Sequence, residues 1–313
     1  VCSSDLPKRM RVTYTLTVDT NAVPAGKLVR CWLPYPRTDQ ARQRDVKFIS
    51  ASEPEYVFSP QECRHSTLYM EKRAVQGEPT VFSETFEYTS CGEWHNLCAE
   101  DVLPYDTTAA LYKEYTAERE KHIVFSPRLR ELAAKLTAGE TNPYLKAKRI
   151  FRWINDHFPW ASAREYSTIE NIPEYVLDNR HGDCGQVSLL FITLCRISGI
   201  PAHFQSGFMM HPRAWNLHDW AEVYFEGVGW VPVDQSFGIP AFARNADEEY
   251  FFLGGIDSWR MIVNTDYGMP LVPEKKYPRS ETVDFQRGEV EWEGGNLYFP
   301  QWSYHMDIDY LNY

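Results

Sequence analysis

G-D-C-G-Q-V-S-L-L-F-I-T-L-C-R-I-S-G-I-P-A, residues 182 to 202, is the stretch that governs the fold. Val187, Leu190, Phe191, Leu194 and Cys195 fall at the spacing of one helix face, and Leu189 and Ile192 carry the apolar surface nearly all round. A helix apolar on every side is buried, so this one is central to whatever folds around it. Gly199 and Pro201 supply its stop. At its start stands Cys184, after Gly182 and Asp183. The first turn of a helix presents unpaired backbone N–H groups and the positive end of the dipole to whatever sits there. A thiol in that place is favoured as the thiolate, the form that attacks a carbonyl, and the same amides can form part of an oxyanion hole. Cys195 lies on the apolar face instead and reads as an inert buried thiol.

Strand-like runs follow at Ala202 to Met209, His218 to Phe225 and Trp230 to Asp234. A thiolate needs a base that later returns a proton to the departing amine, and that base needs an orienting acceptor. His218 and Asp234 are the candidates. If the loop from Glu226 to Gly229 is centred on Gly227, Trp220 pairs with Asp234 and the carboxylate lies diagonal to His218 on the same face. A clean two-residue loop would put them on opposite faces. Pro232 cannot donate to a ladder, which favours a bulge. Alternation along the strand turns Asp219 to the side away from His218. His181 reads as an exposed loop residue and His203 as a core or rim residue.

Upstream, helical patterns run from Thr107 to Glu118, from the cap and first turn Ser126-Pro127, and from Asn142-Pro143. Earlier still, Val12, Tyr14, Leu16 and Val18 alternate with Arg11, Thr13, Thr15 and Thr17. Similar runs at Leu28 to Leu33, Val46 to Ile49, Thr67 to Lys72 and Val81 to Tyr88 point to an antiparallel β-sandwich over residues 7–95, leaving 96–313 for a catalytic domain with a C-terminal extension. In that extension, Tyr250 to Tyr313 with a strand at Glu281 to Trp292, the expected role is packing that completes the core; Phe251, Phe252 and Trp259 could instead wall a cleft.

Four segments together, G-D-C-G-Q at 182 to 186, L-C-R-I-S-G-I-P-A at 194 to 202, H-D-W-A-E-V-Y at 218 to 224 and G-W-V-P-V-D at 229 to 234, resemble the transglutaminase-like superfamily. That group includes transglutaminases, peptide N-glycanases and bacterial cysteine peptidases. The resemblance implies an α+β fold, an N-terminal β-sandwich followed by a papain-like core whose nucleophile helix packs on an antiparallel sheet. It also implies Cys184 as nucleophile, His218 as base and Asp234 as orienting carboxylate. The commoner motif has Ala where Asp219 stands. The group's second oxyanion donor, an aromatic or amide side chain upstream of the Cys, has no fixed spacing; the indole N–H of Trp160 is the candidate and Tyr166 the alternative.

The expected chemistry is attack on a peptide or side-chain amide through an acyl-thioester, resolved by water because nothing marks a dedicated amine site. Protein-glutamine acyl transfer and a non-catalytic binding role are the alternatives. The substrate expected is a peptide, protein or glycopeptide. A chain of 313 residues with 43% hydrophobic content can bury a sizeable core, and a net charge of -11 without a basic patch opposes nucleic acid and anionic lipid. No apolar run approaches the roughly 20 residues needed to span a bilayer. Val1-Cys2-Ser3-Ser4-Asp5-Leu6 reads as a translated sequencing adapter, or else as a lipid-modified Cys2 behind a removed signal; a periplasmic or secreted location is the expectation. Cys91, His95 and Cys98 lack the second half of a zinc site, so a loop disulfide or free thiols are expected there, with no metal or other cofactor and no EF-hand-like loop.

Overall fold

The computed structural model describes residues 6–162 and 164–312; Val1 to Asp5, nearly all of the segment read as foreign, lie outside them. In chain order come β1 (Lys8–Val18), β2 (Leu28–Pro34), β3 (Gln43–Ala51), β4 (Tyr56–Phe58), β5 (Thr67–Arg73), β6 (Thr80–Ser90) and β7 (Glu93–Trp94). Helices α1 (Ala110–Tyr115), α2 (Pro127–Leu136), α3 (Pro143–His157), α4 (Ile172–Asn179) and α5 (Cys184–Ile197) follow. Then come β8 (Ala202–Met209), β9 (Asn216–Phe225), β10 (Gly229–Val233), the short α6 (Ala246–Glu249), β11 (Gly255–Ile256), β12 (Arg260–Asn264), β13 (Glu289–Trp292), β14 (Gly295–Leu297) and β15 (Trp302–Tyr310).

Two compact units divide the chain. The first holds the residues up to Gly92, Ser206–Leu217 and those from Ser258 on. It is an antiparallel sandwich of sheets ordered β15-β1-β6-β3 and β14-β13-β2-β5-β4. Alternation forms it: Met10, Val12, Tyr14, Leu16 and Val18 of β1 are all buried, and Val12 faces Phe86 on one neighbour and Ile308 on the other. The C-terminal segment supplies β13, β14 and β15, so residues 258–312 fold with the sandwich, which differs from the contiguous division at 95/96 read from the sequence. Of the strand expected from Glu281 to Trp292, only Glu289–Trp292 pairs, because Gly288 takes a left-handed φ of +88° and the backbone N–H groups of Ser280 and Glu281 turn onto the Glu289 carboxylate. Trp259 packs against the sandwich core, with Lys8 over its ring, rather than walling a cleft.

The second unit holds Glu93–Gln205 and His218–Asp257. Its helices begin with capping devices: Ser126 accepts from Leu129 N–H, Asn142 from Leu145 N–H and Asn171 from Glu174 N–H, each with a proline in the first turn. Helix α5 packs against α2, α3 and α4 and is buried from Gly185 through Arg196, the central element its all-round apolar pattern requires. Beside it β8, β9 and β10 run as neighbours with β9 in the middle. The α+β class and both architectures are those expected.

Candidate active site

The site grows from the first turn of α5. Asp183 is its N-cap, accepting from Gln186 N–H at 3.0 Å while the Gln186 side chain accepts from Asp183 N–H at 3.2 Å. This capping box fixes where the helix starts and therefore where Cys184 points. The D-x-x-Q signature of such a box is present in G-D-C-G-Q, beyond the glycine and cysteine that mark the segment in the sequence. Upstream, Trp160 forms a parallel bridge with Gly182, and Ala161 N–H donates to Gly182 O at 3.1 Å, tying a second segment to the approach to Cys184. Trp160 is 61% exposed. Tyr166 is buried, and its hydroxyl donates to Asp183 Oδ1 at 2.6 Å.

Across from the helix, β9 and β10 pair with an unbroken register, Gly229 with Phe225 through Val233 with Ala221, so the next step along places Asp234 opposite Trp220. The odd loop centred on Gly227, whose φ is +88°, produces this alignment. The bulge expected from Pro232 is absent. Pro232 O accepts from Gly254 N–H on the far side of β10, and a residue's N and C=O point the same way in a strand, so its missing donor faces away from β9. His218 Nε2 and Asp234 Oδ2 are 2.7 Å apart, with both side chains buried. The other carboxylate oxygen of Asp234 accepts from Phe237 N–H at 3.0 Å. The Phe237 ring stands 5.1 Å from that of His218, with Phe252 behind it at 5.1 Å.

His218 presents its Nε2 edge to Asp234, which orients the ring and leaves Nδ1 as the other proton site. Beneath it, Trp220 Nε1 donates to Gln205 Oε1, Gln205 Nε2 donates to Glu222 Oε2, and His203 Nε2 lies 3.1 Å from the same Glu222 oxygen. His203 is thus a buried, paired residue of this face; His181, expected to be exposed, is half-buried.

Asp219 departs from the expectation in its consequence. It follows His218 on β9, and its carboxyl meets the start of α5. The side chain is buried, and Cys184 Sγ donates to its Oδ2 at 3.4 Å. Burial above all, then the Asp219 and Asp183 carboxylates, push the Cys184 thiol well above the ordinary thiol range, while the Asp219 backbone amide pulls it back. The structure thus joins His218 to Asp234 directly and sets the Cys184 sulfur against the residue that follows His218. Cys195 is a buried free thiol, and Cys91 and Cys98 are likewise free. Among the described residues no group of three or more His, Cys, Asp or Glu gathers to hold a metal ion.

Residues 130–235, which hold Cys184, His218, Asp219 and Asp234, match the model of the transglutaminase-like superfamily. This segment is similar to a transglutaminase-like core. The fold is similar to that of a proposed cysteine protease from Cytophaga hutchinsonii, with a TM-score of 0.62 at 16% identity over 98% of this chain and 92% of that one. An uncharacterised Haemophilus influenzae protein is 24% identical over 259 residues, 71% of this chain and 68% of its own. A protein-glutamine gamma-glutamyltransferase of Pseudomonas aeruginosa is 23% identical over 125 residues, 36% of this chain. The match spans only 19% of that protein's length, as it does for the Bacillus subtilis protein YebA, 26% identical over 140 residues and 38% of this chain. No helix among the described residues is long and apolar enough to cross a membrane.

Proposed function

We propose that the transglutaminase-like core is a thiol enzyme that cleaves peptide or side-chain amides through an acyl-thioester. The observation that carries this reading is the 2.7 Å pair of His218 Nε2 and Asp234 Oδ2, in a core that also sets a cysteine on the first turn of a buried helix. In this mechanism the Cys184 proton passes to His218 Nδ1, and the sulfur electron pair attacks the carbonyl carbon. Asp234 stabilises the imidazolium and holds its orientation. The carbonyl oxygen takes up the negative charge against the Cys184 backbone N–H, which has no intrahelical partner at that position, with the Trp160 indole as second donor. Collapse breaks the C–N bond, and His218 gives its proton to the departing amine. Water, deprotonated by His218, then opens the thioester, releasing the acid and restoring the thiol.

A second reading, transfer of the acyl group to an amine, is favoured by the relative described as a protein-glutamine gamma-glutamyltransferase. The same three residues serve both, and the acceptor alone differs. The test incubates the full chain and Cys184→Ser with a peptide pool, with and without a primary amine and with and without EDTA, and reads masses. Cleaved peptides that require Cys184 and survive EDTA are expected. Amine adducts in place of cleavage would establish transfer, and no product in any pool would leave a non-catalytic binding role.

A further inference from the structure

The proposed mechanism uses one carboxylate, Asp234, yet another one touches the sulfur. Asp219 Oδ2 is 3.4 Å from Cys184 Sγ, and Tyr166 Oη is 3.5 Å from that same oxygen. Asp219 is 1% exposed. The adjoining residue of the helix is shaped to admit it. A Cβ on Gly185 would fall 2.7 Å from Asp219 Oδ2 and 2.5 Å from Tyr166 Oη, so only glycine lets the carboxyl and the phenol close onto the first turn of α5. The titratable groups gathered at the first turn of α5 are therefore Asp183 from its cap, Tyr166 from the turn at Tyr166–Thr168, and Asp219 from β9, with His218 the adjoining residue on that strand. Asp183 spends its Oδ1 on Gln186 N–H and the Tyr166 hydroxyl, whereas Asp219 receives the thiol itself.

A carboxylate in contact with sulfur opposes a second negative charge there and accepts the S–H proton as a hydrogen bond. We propose that Asp219 is a positioning residue that keeps Cys184 a protonated thiol in the resting protein, so that the thiolate forms only when His218 removes the proton for attack. This rests on Cys184 being the nucleophile. In the transfer the proton moves from Sγ to the His218 imidazole and the bonding pair stays on sulfur; Asp219 gains and loses nothing. A thiol held in this way resists alkylation and peroxide, both of which act on the thiolate. The buried, doubly acidic surroundings that raise the thiol support the same reading.

The experiment is the pH dependence of Cys184 alkylation by iodoacetamide in the full chain, read at the Cys184 peptide by mass, in the wild type, Asp219→Asn and Asp219→Ala. Both variants are expected to lower the midpoint by about one to two pH units, so that labelling at pH 7 quickens roughly tenfold or more. A midpoint unmoved or raised in both overturns the proposal, since it would make Asp219 a packing residue or a donor to a standing thiolate. Where neither variant melts cooperatively, thiolate absorbance of the wild type minus Cys184→Ser decides: a midpoint at or above the ordinary value of about 8.5 supports it, and a lower one overturns it. Alkylation needs no substrate. An unmoved midpoint in a protein that cleaves peptides sinks this inference alone, and an absence of product in every pool sinks the proposed function alone.

Discussion

In the sandwich, Glu289 and Glu291 of β13 are fully buried, and cations surround them. Lys275 Nζ lies 3.8 Å from Glu289 and 3.4 Å from Glu291, Arg279 Nε is 3.7 Å from Glu289, and Arg30 pairs with Glu291. Backbone N–H groups of Ser280 and Glu281 complete the shell of Glu289, and those of Lys276 and Tyr277 that of Glu291. In the second unit Asp234 and Asp219 are as deeply buried, but the groups that meet them are an imidazole, a thiol and a phenol. Buried charge neutralised by Lys and Arg is fixed, since those partners do not give up protons near neutral pH. Buried charge placed on His and Cys acts on groups whose protons move. The difference separates a carboxylate that holds a wall together from one that sets the protonation of its neighbour.

That contrast can be broken by substitutions on either side of it. The largest effect is expected in the second unit: Asp234→Asn should cut product formation from the peptide pool by on the order of 10²–10⁴-fold while leaving thermal unfolding nearly unchanged, because the ring loses its orienting acceptor. A fall of less than a few-fold would make Asp234 structural, like the sandwich carboxylates. In the sandwich the expectation reverses. Lys275→Met leaves two buried carboxylates short of a cation and should lower stability by about 3–5 kcal/mol in urea unfolding, with the Cys184 alkylation midpoint of the folded protein unmoved.

The smallest effect sharpens the comparison from a third position. Glu84 of β6 is buried opposite Tyr14, and neither of its carboxylate oxygens has a hydrogen-bond partner among the described residues. Burial raises its carboxyl well above the ordinary range. The folded protein therefore holds a proton that the unfolded chain releases above a pH of about 4.3. This group's stability is whole below that pH and is lost as pH rises toward the folded value, at up to about 1.4 kcal/mol per pH unit. Glu84→Gln should stabilise the protein at pH 8 by roughly 1–2 kcal/mol, leave it unchanged at pH 4, and flatten the slope between them. Equal melting shifts at both pH values would contradict this.

The sequence displayed what local periodicity and end chemistry control. The all-round apolar run after Cys184 could only be a buried helix, and the Ser126 and Asn142 caps marked α2 and α3, whereas the loop at Gly227 left two registers open and the pairing of β9 with β10 selects the one that aligns Asp234 with Trp220. The third cap, Asn171, and the capping box at Asp183 are equally local signals, since Asn171 stands two residues before Pro173 and Asp183 three before Gln186. Long-range pairing was not legible. Trp302, Tyr304, Met306 and Ile308 alternate with polar residues as plainly as β1 does, but nothing in that pattern says that Ile308 lies against Val12, because strand partners are chosen by global closure of the two sheets. Alternation likewise turned Asp219 away from His218, and only packing decided that its carboxyl meets the Cys184 thiol rather than solvent. Residue types, order and spacing thus determined the elements and the candidate nucleophile, base and carboxylate. Tertiary structure decided the environment of each charge, because burial and neighbours across the fold set whether a carboxyl is neutralised, protonated or pressed against a thiol.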